Sequence, residues 1–147
     1  MPLATEMARL FTEEKIDFVK RSGLKAERLE PGFVCLRMPL DGNRNHIGTL
    51  YAGALFTLAE IPGGALFLTS FDTQRFFPLI KEMNLRFLRP ASSDIFVEAH
   101  LPGSEIERIQ DEAQRLGKAD YQLELQLQDC DGQTVAQSTA LYQLRRV

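Results

Sequence analysis

Two cysteines and two histidines in 147 residues leave little material for metal or disulfide chemistry. Cys35 and Cys130 lie far apart with no CxxC spacing, and His46 and His100 are equally scattered. No zinc site is therefore expected and, in a reducing compartment, no disulfide. Both thiols read as small packing groups, Cys35 most simply so because Val34 and Leu36 flank it. Positive charge is scarce as well. The net charge is -3 and the pI about 5.4, with no run of five or more Lys or Arg, so nothing is offered to a phosphate backbone and nucleic acid is excluded as a partner. The opening stretch, MPLATEMAR, has an acid at Glu6 and no apolar h-region. It reads as neither a secretory signal nor an Arg-rich transit peptide, which points to the cytoplasm. Repeats, low-complexity tracts and linkers are also missing. With 44% hydrophobic and 25% charged residues, the expectation is one globular domain over residues 1–147.

What is present is ordered along the chain. Leu3, Met7, Leu10, Phe11 and Phe18 recur at helical spacing among charges and predict an amphipathic helix over about 3–21, with Gly23 as its stop. A strand-like stretch over 24–40 is broken by a Pro31-Gly32 turn and runs into the loop PLDGNRNHIG. From 49 to 70 the chain is nearly all apolar and predicts a long buried helix. A membrane span is excluded there by Glu60 and by Pro62-Gly63-Gly64, which would break the helical ladder in mid-bilayer. Alternating patterns then predict strands at about 79–89, 93–101, 118–129 and 133–146. The last two are joined by the Asp131-Gly132 hairpin turn. Between the strands at 93–101 and 118–129, SEIERIQDEAQRL reads as a short charged helix with Ser104 as N-cap and Glu107 at capping-box spacing. The order implies an α+β domain whose antiparallel sheet wraps one central helix.

TLAEIPGG, residues 57–64, is the least ordinary segment, because it places a lone acid in an apolar run just before a proline and two glycines. Pro62 removes the hydrogen bond its N–H would give to Leu58, so a bend after the acid is expected; the glycines permit close packing on a sheet or a partner. NHIGTLYAGALFTLAE (45–60) followed by MNLRFLRPASSD (83–94) resembles the hotdog-fold acyl-CoA thioesterases, particularly the phenylacetyl-CoA thioesterase-like branch and its relatives, over roughly residues 30–145. The resemblance implies a hotdog fold and a dimer, extending to a dimer of dimers. It also implies two interface sites, each combining the helix start of one subunit with the acid of the other. The chain departs from the family pattern in having Tyr51-Ala52-Gly53 where well-characterised members have His-Gly-Gly, and Glu60 where many have Asp.

Thioester hydrolysis needs donors at the carbonyl oxygen, where negative charge develops, and a carboxylate to activate water or attack directly. The first-turn amides of Ala52 and Gly53 suit the first role and Glu60 the second. Gly53 and Glu60 share a helix face but sit about 10 Å apart along the axis, so an antiparallel second copy would have to bring them together. The resemblance gives Asn45 the role of positioning water or the thioester, with a turn-forming Asn as the plain reading. Tyr51 and His46 are candidate substrate-binding groups, and Arg86 and Arg89 candidates for the phosphates of coenzyme A. The substrate is then an acyl thioester of coenzyme A or an acyl carrier, with a small or medium acyl group and no cofactor. The alternatives are a hotdog protein that binds the thioester without cleaving it and a dehydratase, which would need a catalytic His.

Overall fold

The computed structural model describes residues 1–147. Six strands, β1 (Lys25–Glu30), β2 (Phe33–Met38), β3 (Phe76–Phe87), β4 (Ile95–His100), β5 (Lys118–Gln128) and β6 (Thr134–Arg146), form one antiparallel sheet in the order β1-β2-β4-β5-β6-β3. The helix α3 (Ala52–Ser70) lies in its concave face, which is the hotdog arrangement. Thirteen of its nineteen residues are buried, so its length and hydropathy serve the core of the sheet.

The alternation seen in the sequence is real where the sheet has one wet face. In β5, Ala119, Tyr121, Leu123, Leu125 and Leu127 are buried while every intervening residue is exposed. Gly132 takes a positive φ at the β5–β6 turn, as the Asp-Gly pair requires. β3 behaves otherwise. It pairs only with β6, and Phe77, Leu79 and Ile80 are about 40% exposed, so the sheet ends in an apolar strand with one unpaired edge.

Three expectations are corrected. The N-terminal helix is two helices, α1 (Thr5–Glu14) and α2 (Asp17–Ser22), separated by Lys15 and an extended Ile16. The break lets Ala8, Thr12 and Val19 face the core together, leaving Met7, Leu10, Phe11 and Phe18 exposed rather than inward. Gly23 does end α2 in the left-handed conformation. The charged helix α4 (Gly103–Leu116) is N-capped by Pro102 with no side-chain cap hydrogen bond, so Ser104 and Glu107 form no capping box. Neither thiol is core filling: Cys35 is half-buried in β2, where burial raises its pKa, and Cys130 is exposed in the β5–β6 turn.

Candidate active site

Tyr51 is the N-cap of α3, and its extended backbone lets its carbonyl accept the N–H groups of Ala54 (2.9 Å) and Leu55 (3.1 Å). The amides of Ala52 and Gly53 have no acceptor in the chain, and no side chain caps the helix. Two free donors therefore stand at the positive end of a nineteen-residue helix, Ala52 exposed and Gly53 half-exposed. A Cβ on Gly53 would lie 2.4 Å from the Tyr51 ring, so on that side the close approach is made by Tyr51 itself and not by a ligand.

Glu60 belongs to the one stripe of α3 that the sheet does not cover, Ala52, Phe56, Glu60, Gly64 and Leu68, spaced four residues apart. Its carboxyl is half-buried and makes no ion pair. Desolvation therefore acts unopposed and raises its pKa above the ordinary glutamate value. It lines a cleft of about 110 Å³ between α1 and α3, whose walls are Phe11, Thr12 and Ile16 on one side and Ile61, Gly64 and Leu68 on the other. α1 is fixed over this cleft by Glu13, which accepts the Ala26 N–H at 2.8 Å, and by Arg9 on the Ala26 carbonyl.

The remaining candidates separate. Asn45, Ala52 and Arg89 share a wider cleft of about 340 Å³ at the helix start, with Phe87 and Leu88 on its wall. There the Asn45 side-chain Oδ1 accepts the N–H groups of Ile47 (3.0 Å) and Thr49 (3.1 Å), and its Nδ2 donates to Thr49 Oγ1 (2.9 Å). Asn45 thus builds the turn, with one N–H left over. Arg89 donates to Gln133 Oε1 at 3.1 Å; Arg86 lies exposed on β3 opposite Gln137, and His46 is an exposed loop side chain. Tyr51 lines a third cleft, beside Phe18 and Asn43. The acid and the free amides of one subunit do not meet.

Sequence reasoning missed Tyr142. Its hydroxyl donates to the Glu60 main-chain carbonyl at 3.1 Å and ties α3 to β6 at the acid. Its ring occupies the space where a Cβ on Gly63 would come within 2.2 Å, and Tyr121 stacks behind it at 5.5 Å. No local pattern reveals a contact between residues 82 positions apart. α1's share of the cleft was equally hidden, since its Phe11 reads only as helical spacing.

The two glycines of TLAEIPGG are therefore not equivalent. Gly63→Ala should destabilise the protein by about 1–3 kcal/mol, because the new methyl meets a buried, stacked ring that cannot yield. Gly64→Ala, where nothing lies within 4 Å of the added carbon, should stabilise it by about 0.5–1 kcal/mol through helix propensity. Denaturant midpoints moving in the same direction for both variants would contradict this packing.

Residues 5–143 match the family described as a domain of unknown function, DUF4442. A Pseudomonas aeruginosa protein of unknown function described as a probable thioesterase is 66% identical. Its crystal structure superposes with a TM-score of 0.96 over 100% of this chain and 99% of its own. A Chlorobaculum tepidum protein of unknown function shares 20% identity at a TM-score of 0.82, covering 97% of this chain and 94% of that one. A Haemophilus influenzae thioesterase shares 15% at 0.75, covering 99% and 93%. At the two lower identities the likeness carries the fold alone. No curated protein matches the sequence.

Proposed function

The chain belongs to the DUF4442 family, and from that premise we propose that it is a thioester hydrolase acting on small or medium acyl groups of coenzyme A at a site shared between two subunits. The observation that carries the reading is the pairing of an uncapped helix start with an unpaired, desolvated acid on the same open stripe of α3. The 66% identical relative, described as a probable thioesterase, supports the reaction class.

In this reading the free amides of Ala52 and Gly53 hold the carbonyl oxygen as it gains negative charge. Glu60 of the other subunit removes a proton from water as the water attacks the carbonyl carbon, or attacks it directly to give an anhydride that water then opens. Either way the C–S bond breaks, and the thiolate leaves to be protonated as free coenzyme A. Arg86 and Arg89, exposed near the end of β3, meet the phosphates, and Tyr51 and His46 flank the entrance. The unpaired apolar edge of β3 suits a second copy, because edge-to-edge pairing would cover Phe77, Leu79 and Ile80 and extend the sheet.

A panel of acyl-CoA esters, with free thiol followed by a colorimetric reagent, tests the reaction. Turnover by a species that sediments as a dimer at micromolar concentration is the expected result. Acyl-CoA binding without thiol release would make the protein a carrier, and an active monomer would remove the shared site.

A further inference from the structure

Gly64 is unexplained by the fold. It stands in the middle of α3 at a helical position, where Ala is the better residue, and an added Cβ would touch nothing within 4 Å. Its neighbour Gly63 is required by Tyr142; Gly64 is required by no atom of the chain. The space it leaves open is the cleft between α1 and α3 that also holds Glu60. Phe11 and Ile16 face Ile61, Ala65 and Leu68 across this cleft, so most of what a guest would touch there is hydrocarbon.

We infer that this cleft is the acyl-chain pocket: the carbonyl of the bound thioester lies at Glu60 and its acyl group runs toward Leu68, between Phe11 of α1 and the extended Ile16 on one side and the bare backbone at Gly64 on the other. This inference rests on the thioesterase reading for the identity of the ligand. The walls are mainly apolar, which suits a hydrocarbon chain, and α1 together with Ile16 supplies one whole side. A cavity of about 150 Å³ holds a benzene ring, so 110 Å³ corresponds to about four carbons. The pocket therefore selects short acyl groups, and Gly64 sets the limit.

The test uses the full-length protein and a series of non-hydrolysable S-alkyl coenzyme A thioethers, from ethyl to decyl, titrated calorimetrically. Affinity is expected to rise about fourfold per methylene up to about four carbons and then level off. Gly64→Leu, which fills the cleft without meeting protein atoms at its Cβ, should remove that gain, at least tenfold for the butyl compound. It should leave binding of coenzyme A itself unchanged and the melting temperature undiminished. An unaltered chain-length profile in Gly64→Leu overturns the inference. So does a change in sedimentation with the profile intact, which would make Gly64 a subunit contact. The thioesterase reading fails separately: if thioester esters bind with the Gly64-dependent profile but are never cleaved, the pocket stands and the activity falls. If Glu60→Gln abolishes cleavage while Gly64→Leu leaves the profile unchanged, the activity stands and the pocket falls.

Discussion

Glu60→Gln is expected to lower kcat for acyl-CoA hydrolysis by more than about tenfold, the usual size of losing a catalytic base, while leaving the protein folded and no less stable than the wild type. Both halves follow from one fact. Burial raises the Glu60 pKa because the charged carboxylate is poorly solvated and has no cation beside it. The folded state therefore holds this proton more tightly than the unfolded state. The associated stability is fully present below the ordinary glutamate pKa and is lost as pH rises through the raised one. At neutral pH the ionised acid opposes folding, and glutamine, neutral and of the same shape, relieves it. Denaturation at pH 4 and pH 8 should show the wild type losing more stability between the two than the variant does. The wild-type rate should rise with pH through an apparent pKa above that of free glutamate, since only the carboxylate accepts a proton. A variant that keeps wild-type turnover would remove Glu60 from the chemistry. One that unfolds would show the acid to be structural.

How much of this was legible in the sequence depends on the range of the interactions involved. The period-2 pattern of β5, the Asp-Gly turn at 131–132 and the apolar run of α3 announce themselves because each is a local rule obeyed residue by residue. The split of the N-terminal helix was hidden, since Met7, Leu10, Phe11 and Phe18 satisfy a helical period equally well facing out. What decides is the fit of Ala8 and Thr12 against the rest of the molecule, and no window of sequence contains that. The candidate site divides in the same way. Glu60 and the Ala52–Gly53 helix start could be named from chemistry and resemblance. By contrast, the consumption of Asn45 by its own turn, the seat of Tyr51 over Gly53 and the hold of Tyr142 on the Glu60 carbonyl are tertiary facts. Pro62-Gly63-Gly64 shows both sides: its oddity was visible at once, but only the position of the Tyr142 ring separates the glycine the fold needs from the one it does not.

Two inactive variants should restore one another, and this is the sharpest consequence of a site divided between subunits. Ala52→Pro deletes a single free amide at little cost to folding. Proline is favoured at the first helical position, its missing N–H had no acceptor, and Tyr51, at φ -60° and ψ 140°, already has the extended backbone that must precede a proline. Losing one oxyanion donor should lower kcat about 100-fold. A Glu60→Gln homodimer then has sound helix starts and no acid, and an Ala52→Pro homodimer has the reverse. When the two are co-refolded in equal amounts, half of the dimers are mixed. In each mixed dimer one site joins the intact acid of the second variant to the intact amides of the first, while the other site carries both defects. One site in four is whole, so activity should return to about a quarter of the wild-type value. Were acid and amides to act within one subunit, no mixed dimer would contain a whole site and the blend would stay as inactive as its parts. The amount of recovered activity thus separates the two arrangements without any structure of the complex. It does so through the roughly 10 Å that keeps Glu60 from its own helix start.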